Sequence, residues 1–593
     1  MNIKKTAESK TSRNAGNIKK DKIQNLITKG NYQQAEELLQ EYRRETIEYD
    51  DIIAILDAGI GEYYGDRQRV WEAIRKGLMF NIRNYELYVM LGNYYLPENQ
   101  YQSYLCYENA MFFCDDPKDK IEIGQLLCQL GDQYHINVNK VSLIILSDNS
   151  LEKTKLCISS IRMTTAENIR DMIVVDNGSA DGSVEWLREQ EDIILIENNE
   201  RKGFSEAFNQ GVSASEEEND IFLLSNNTVL LLNSLFWLRM GLYDGNENGM
   251  AGSISNIEMD REAFGPAGPK TDLFAFGEKT NIPMKYFYID KLCLNQSALL
   301  IKRSVLNKIG LFDEKFLLGN SGIKDYGLRV LEAGYRNILC KNSFVICLEE
   351  LAQGESLDYH DNFQNDHRRF GDKWGFDLNY YFGINQAIIE LVKEPMEKEL
   401  HFLEIGCGCG ALMERLKSMY PNAKMYGMEL VPEVAKIASY MGEVLCGNVE
   451  DEDFPWEKEQ FDYIIMGDVL EHLMTPGNVL KKVRDYLKAS GHIIISMPNV
   501  KHYSVLLPLL RYDTFSYTDS GILDRTHVKM YTKTEILKLI AGSGYEAEEI
   551  YCTKVGTPNE DELSMIKVLM SFMENPSDET FLAYQYILKA GKR

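Results

Sequence analysis

The sequence predicts a multidomain fold in which an α-helical, repeat-like N-terminal region precedes two α/β domains. Three observations carry this. The chain has 593 residues, more than one hydrophobic core serves. Helical periodicity between about 21 and 136 gives way at Val141 to buried strands alternating with amphipathic helices, the pattern of a parallel sheet. A fresh run of that kind opens after residue 398 with LEIGCGCG at 403–410, a strand leading into three alternate glycines and then the helix ALMERLKSMY. The expected boundaries are a disordered tail at 1–20, helices at 21–136, the first α/β domain at 138–375, a linker helix at 376–397 and the second α/β domain at 398–593.

Composition excludes several functions. Lys and Arg number 64 against 90 Asp and Glu, and the net charge of −26 argues against nucleic acid or anionic lipid as a partner. The 44% apolar content suits globular packing. Eleven cysteines are scattered singly, apart from Cys407 and Cys409, and no CxxC pair suggests zinc or a redox centre; they read as reduced thiols. No apolar run reaches the length of a membrane span and no signal-peptide core is present, so a cytoplasmic location is expected. The opening MNIKKTAESKTSRNAGNIKKDK is basic and polar and reads as a solvated tail.

The helical region breaks at Gly30, Gly65 and Pro97. Its segments GNYQQAEELLQEY, YGDRQRVWEAIRKGL and NQYQSYLCYENAMFF recur at roughly 34–38 residues, a spacing that resembles tetratricopeptide helix pairs. An ordinary helical domain fits the same pattern. Either would hold a protein partner and not perform chemistry.

From Val141 the strand VSLIIL, the helix LEKTKLCISSIRM and the strand-plus-acidic-turn DMIVVDNGSADGS follow in order, then DIILIENN, GFSEAFNQGVSAS and DIFLLSNNT. This segment, about 140–375, resembles the family 2 glycosyltransferases and so implies a GT-A fold. The resemblance implies that Asp176 contacts a nucleobase with Asp181 nearby, and that Gly203, Phe204 and Asn209 line the nucleotide. Acidic turn residues after a strand are also common without a ligand.

The likeness fails where that family keeps its chemistry. The aspartate that holds a divalent ion, manganese or magnesium, is replaced by Asn227, a neutral and weaker ligand. The Glu-Asp pair of the family appears as Gly322 and Ile323 ahead of Asp325 and Arg329, and isoleucine accepts no proton. A later histidine is missing from VICLEELAQGES. The expectation is a nucleotide or sugar pocket with much of its transfer activity lost. The alternative is a shifted alignment in which Asp325 or Glu314 is the base and Asn226 or a water completes the ion's shell.

After the glycine run, NAKMYGMEL ends at Glu429, about 20 residues on, where an acid reaches a ribose hydroxyl in a nucleotide-binding βαβ unit. GNVEDEDF at 447–454 suits an adenine-edge loop, FDYIIMGDVLEHL reads as a strand passing into a helix, and ASGHIIISMPNV as a turn, buried strand and proline-ended loop. YEAEEIYCTKV and TFLAYQYILKAGK suit a closing antiparallel pair, with a helical excursion between them. This order, with DVLEHL, PNV and LDRTH…YT, resembles the class I S-adenosylmethionine-dependent methyltransferases and implies their Rossmann-like fold. It implies Glu404 with Gly406, Gly408 and Gly410 around the methionine part of the cofactor, Glu429 on the ribose, and Asn448 with Val449 at the adenine. Asn448 stands where many relatives have aspartate.

A bound sulfonium already carries an activated methyl group, so the protein aligns an acceptor, excludes water and takes a proton. Asp468, Glu471 and His472 follow the fourth strand, and His527 lies in LDRTHVKMYT. In relatives that methylate quinone hydroxyls, an acid-x-x-Glu-His cluster is linked to a metal ion, and Asp468-x-x-Glu471-His472 matches its form; no residue is assigned here as a metal ligand. A capping box between Asp468 and Glu471 is the alternative reading. His472 suits a general base, His527 either orients substrate or bonds a loop carbonyl, and Asp524 and Arg525 fix the loop. The pairing of domains points to methylation of a sugar hydroxyl in bacterial surface-glycan or glycoprotein assembly. Two further readings are a bifunctional enzyme, and a scaffold whose first two domains bind a glycan or a partner.

Overall fold

A computed structural model describes residues 18–45, 49–257, 272–348 and 357–593. Residues 1–17 of the expected tail lie outside these, and 18–20 already belong to a helix at 18–28. The chain divides into two compact units, with the break between Asp366 and His367.

In the first unit the helices Tyr32–Glu45, Asp51–Tyr64, Arg67–Phe80, Tyr85–Tyr95, Gln100–Phe113 and Pro117–Tyr134 run in succession. Their starts are set by local chemistry: Asp50, Asp66, Asn84, Asn99 and Asp116 each accept a backbone N–H in the first turn. Strands β1 (Val141–Ser147), β2 (Arg170–Asp176), β3 (Ile193–Glu197), β4 (Asp220–Ser225), β5 (Thr228–Val229), β6 (Asn248–Ser255), β7 (Tyr288–Lys291), β8 (Ala298–Ile301) and β9 (Arg336–Cys347) form one sheet, ordered β3-β2-β1-β4-β8-β6-β9-β5 with β7 on β9. The first four strands are parallel and β8 runs against β4. The expected alternation over 141–228 is present.

The helical region is fused to this sheet through the helix Ser234–Leu242, all nine residues of which are buried. Gln102 Nε2 donates to the Met240 carbonyl at 3.0 Å, Asn99 Nδ2 to the Tyr243 carbonyl at 3.0 Å, and Asn233 Nδ2 to the Tyr88 hydroxyl at 2.7 Å. Arg239, 2% exposed, pairs with Glu108 and donates to the Asn139 carbonyl. One apolar cluster runs from Ala54 through Tyr107 to Trp237 and Val345.

The second unit is a seven-stranded sheet of β10 (His401–Ile405), β11 (Lys424–Glu429), β12 (Glu443–Cys446), β13 (Phe461–Gly467), β14 (Leu487–Pro498), β15 (Tyr545–Thr553) and β16 (Gln585–Lys592), ordered β12-β11-β10-β13-β14-β16-β15. Five strands are parallel, and β16 runs antiparallel to both β14 and β15. The order reverses between β10 and β13, which opens a ligand crevice at their carboxyl ends. Two expectations are corrected. The linker at 376–397 is not one helix but two single turns, Leu378–Tyr381 and Gln386–Ile389, because FGIN interrupts them and Asn385 caps the second. The segment after β13 is a 3₁₀ turn, Leu470–His472, and the next helix waits for Pro476.

Candidate functional site

The glycine loop sits at the carboxyl end of β10, and Gly406, Gly408 and Gly410 have φ of 70°, 52° and 84°, the left-handed region. A Cβ on Gly408 would lie 2.9 Å from the Tyr381 carbonyl oxygen, which itself accepts the Cys409 N–H at 3.1 Å. Backbone therefore crosses the loop directly, a contact the sequence reading missed; the tyrosine pair in NYYF just upstream is its only signal. Partial desolvation, then the carboxylates of Asp524, Asp468, Glu429 and Glu471, push the Tyr380 phenol above the ordinary range.

Glu404 is buried in β10, and its Oε2 has no hydrogen-bond partner among the described residues. Burial, then neighbouring Glu429, pushes this carboxyl well above the usual range. Glu429, at the end of β11, accepts the Gly408 N–H at 3.0 Å and the Leu430 and Val431 N–H groups. Asn448 is committed to its own turn, donating to Asp451 at 2.8 Å and accepting from Glu450 N. Val449 packs in the apolar cluster and its carbonyl accepts from Lys482. A cradle of glycines, an orphaned buried carboxyl and an acid ending the second strand fit the amino-acid and ribose portions of S-adenosylmethionine.

The capping box is not formed. Asp468 has φ +54°, and the following turn begins at Val469 without a side-chain cap. Its Oδ1 instead accepts from Ser496 Oγ at 3.1 Å and from Gln585 Nε2. Glu471 is fully buried; both carboxylate oxygens lack a hydrogen-bond partner among the described residues, and burial, then Asp468, pushes the group well above its usual range. Its backbone carbonyl receives the N–H groups of Val528 and Lys529, which brings the LDRTH segment across.

There His527 sits with Nε2 4.0 Å from Glu471 Oε1 and Nδ1 2.9 Å from the Ile522 carbonyl, so Nδ1 donates and Nε2 is left as acceptor. His472 meets His527 edge to face at 4.7 Å, with its Nδ1 beside the Thr526 hydroxyl at 3.1 Å. Burial, then His527, lowers the His472 pKa, which keeps the ring neutral near pH 7. Asp524 fixes the loop through Thr526, and Arg525 pairs with Asp519. Glu471, His472 and His527 each offer one ligand atom within 4.8 Å of the others. Two imidazole nitrogens and one carboxyl group are a donor set that fits a divalent transition metal, and they fit proton transfer equally.

In the first unit Asp176 ends β2 with Oδ1 accepting from Ser179 N at 2.9 Å and Oδ2 buried without a hydrogen bond among the described residues. Asp181 is spent on structure: it accepts from Leu151 N, Ser183 N and Ser183 Oγ. Asn209 is buried and clamps the Phe312 backbone and Glu314. Asn227 sits half-buried in the β4–β5 turn, its carbonyl accepting from Leu348 N at 2.7 Å. Ile323 is 1% exposed in the apolar core, and a Cβ on Gly322 would meet Ser205 Oγ at 2.7 Å. Residues 349–356 of VICLEELAQGES lie outside the described residues.

Two family models match parts of the chain. Residues 142–226 match the family model described as glycosyl transferase family 2, and 379–550 the one described as methyltransferase domain. An uncharacterized protein of Methanocaldococcus jannaschii, MJ1123, is 29% identical over 21% of this chain and 60% of its own length. The malonyl-[acyl-carrier protein] O-methyltransferase of Geobacter sulfurreducens is 24% identical over 30% of this chain and 68% of its own. The ubiquinone biosynthesis O-methyltransferase of Bradyrhizobium diazoefficiens is 30% identical over 19% and 45%. Among solved structures, a SAM-dependent methyltransferase of Thermotoga maritima aligns at 21% identity and TM-score 0.27 over 39% of this chain and 97% of that one. GalNAc-T7 with UDP, GalNAc and Mn2+ aligns at 12% and 0.33 over 43% and 52%.

Proposed function

The chain carries a family 2 glycosyl transferase domain followed by an S-adenosylmethionine-dependent methyltransferase domain, and we propose that the second transfers methyl to a sugar hydroxyl in surface-glycan or glycoprotein assembly while the first binds carbohydrate or nucleotide without efficient transfer. The single observation that supports methyl transfer to oxygen is the Glu471, His472, His527 cluster at the carboxyl edge of the sheet beside the glycine loop. The cofactor, when bound, supplies an activated methyl group. The chain supplies the rest. Gly406, Gly408, Gly410, Glu404 and Glu429 hold the donor, the 378–389 segment keeps water from the loop, and neutral His472 takes the acceptor proton. His527 orients either that acceptor or a cation held with Glu471. Oxygen is also the acceptor named for the malonyl and ubiquinone relatives.

Sugar as the acceptor rests on the neighbouring domain. There Asp176 keeps a buried carboxylate oxygen without a hydrogen bond among the described residues, the group that would meet a nucleobase, whereas Asn227 and Ile323 stand where an ion anchor and a base belong. The helical region serves as a partner-binding element as well as a buttress, and the protein works in the cytoplasm; no described helix is long and apolar enough to cross a membrane. Calorimetry with S-adenosylhomocysteine tests the cofactor site, and Gly406→Arg should abolish the heat. Labelled-methyl transfer to monosaccharides and nucleotide sugars, against quinol and carboxylate acceptors, tests the substrate. Methylation of quinols or carboxylates alone would overturn the sugar reading, and sugar turnover by the first domain with Mn2+ would establish a bifunctional enzyme.

A further inference from the structure

Asp468 has a backbone conformation that few residues other than glycine adopt, and something must hold it there. Ser496 does part of this, its Oγ accepting the Asp468 N–H at 3.0 Å and donating to Oδ1 at 3.1 Å. The rest comes from Gln585, 9% exposed at the start of β16 and opposite Pro498 of β14. Its Nε2 donates to Asp468 Oδ1, and its Oε1 accepts from Asn385 Nδ2 at 3.0 Å. Asn385 in turn caps the turn Gln386–Ile389, whose Ile388 and Ile389 are buried. That turn belongs to the strap whose Tyr381 carbonyl crosses the glycine loop. A single amide thus spans from the strap to the carboxylate at the end of β13, and Asp468 Oδ2 is left outside this network.

We infer that Gln585 is a positioning residue of the methyltransferase site, whose amide locks Asp468 and the 378–389 strap together so that closure over the cofactor and orientation of the carboxylate occur as one event. The inference rests on the cofactor reading above. Gln585 touches neither donor nor acceptor; it acts through Asp468 and Asn385. Because an amide donates from one end and accepts at the other, it satisfies both neighbours in only one orientation, and reversing the polarity of either neighbour leaves it able to hold one of them at a time.

The test is a double-mutant cycle on the full chain with S-adenosylhomocysteine as ligand. Gln585→Met keeps the volume and removes both bonds. Asn385→Asp keeps the helix cap and removes the donor to Gln585. Each single variant should weaken binding about tenfold, and each should abolish the slowing of amide hydrogen exchange at 378–389 that the ligand causes in the wild type. The double variant should be no weaker than either single one, since both cut the same chain of bonds. Wild-type binding with unaltered affinity and protection in both variants, or strictly additive losses, would overturn the coupling and leave the cofactor site standing. Absence of binding by the wild type would overturn both. If Gln585→Met lowers the melting temperature enough to unfold the domain, Asn385→Asp carries the test through the ligand-linked exchange of 378–389, which a merely structural loss would not single out.

Discussion

Glu471 shows how much a single residue gives up for chemistry. A buried carboxyl with no hydrogen-bond partner costs about 1–3 kcal/mol, and here both oxygens lack one among the described residues. Its pKa is raised, so as pH climbs past the ordinary carboxylate value of about 4.3 the unfolded chain releases its proton first. Stability then falls with pH until the folded group also ionises. Glu471→Gln should therefore melt higher than the wild type at pH 8, with the gain vanishing near pH 4; calorimetric melting checks it. The same variant should lose any rise in melting temperature produced by divalent transition metals. Gly408→Ala makes a separate point: its Cβ would meet backbone, not a movable side chain. It should cut S-adenosylhomocysteine affinity at least tenfold, about 1.4 kcal/mol, and an unchanged isotherm would show that the strap gives way. The left-handed turn at Gly406, Gly408 and Gly410 was legible because a strand running into alternate glycines and then a helix demands it. Asp181, Asn448 and Glu429 all spend oxygens on nearby backbone N–H groups, a use of polar turn residues that the linear sequence does not separate from ligand binding.

Elements carry their meaning through what they pack against. The helix Ser234–Leu242 is buried on every face because the sheet covers one side and the helical region the other. Removing 1–136 would bare that surface, so the truncated first unit should precipitate and not behave as a trimmed domain; soluble, monomeric material would show that the two fold apart. The Arg239–Glu108 pair gives a sharper measure. Glu108→Ala leaves a buried guanidinium without its carboxylate and should destabilise the first unit by about 3–5 kcal/mol, read as a shift in urea midpoint. Helical periodicity announced the helices, and glycines and Asx caps their ends. It did not announce their partner, because an apolar stripe is the same whether it meets another helix or a sheet. The broken linker was missed for a related reason: Asn385 as a cap and the FGIN interruption outweigh the helical propensity on either side.

At the scale of the whole molecule, the chain divides between Asp366 and His367 into two compact units, and every residue proposed for methyl transfer lies in the second. A fragment of 367–593 should fold alone, melt as one transition and bind S-adenosylhomocysteine with the affinity of the full chain. A tenfold loss would show that the first unit shapes the cofactor site. On the function proposed above, the first unit supplied with nucleotide sugars and Mn2+ should release nucleotide no faster than the background, and Asn227→Asp alone should not restore transfer, since buried Ile323 accepts no proton.

The linear chain alone determined the order of the domains, both transferase families and the cofactor loop, because strand–turn–helix patterns and residue substitutions at fixed offsets are local properties. Only the tertiary structure decided which polar side chains remain free to bind. Glu471, His472 and His527 converge from segments more than 50 residues apart, and Gln585 reaches Asp468 from the last strand. Hydrogen bonds are allotted by proximity in space, and sequence distance says nothing of that.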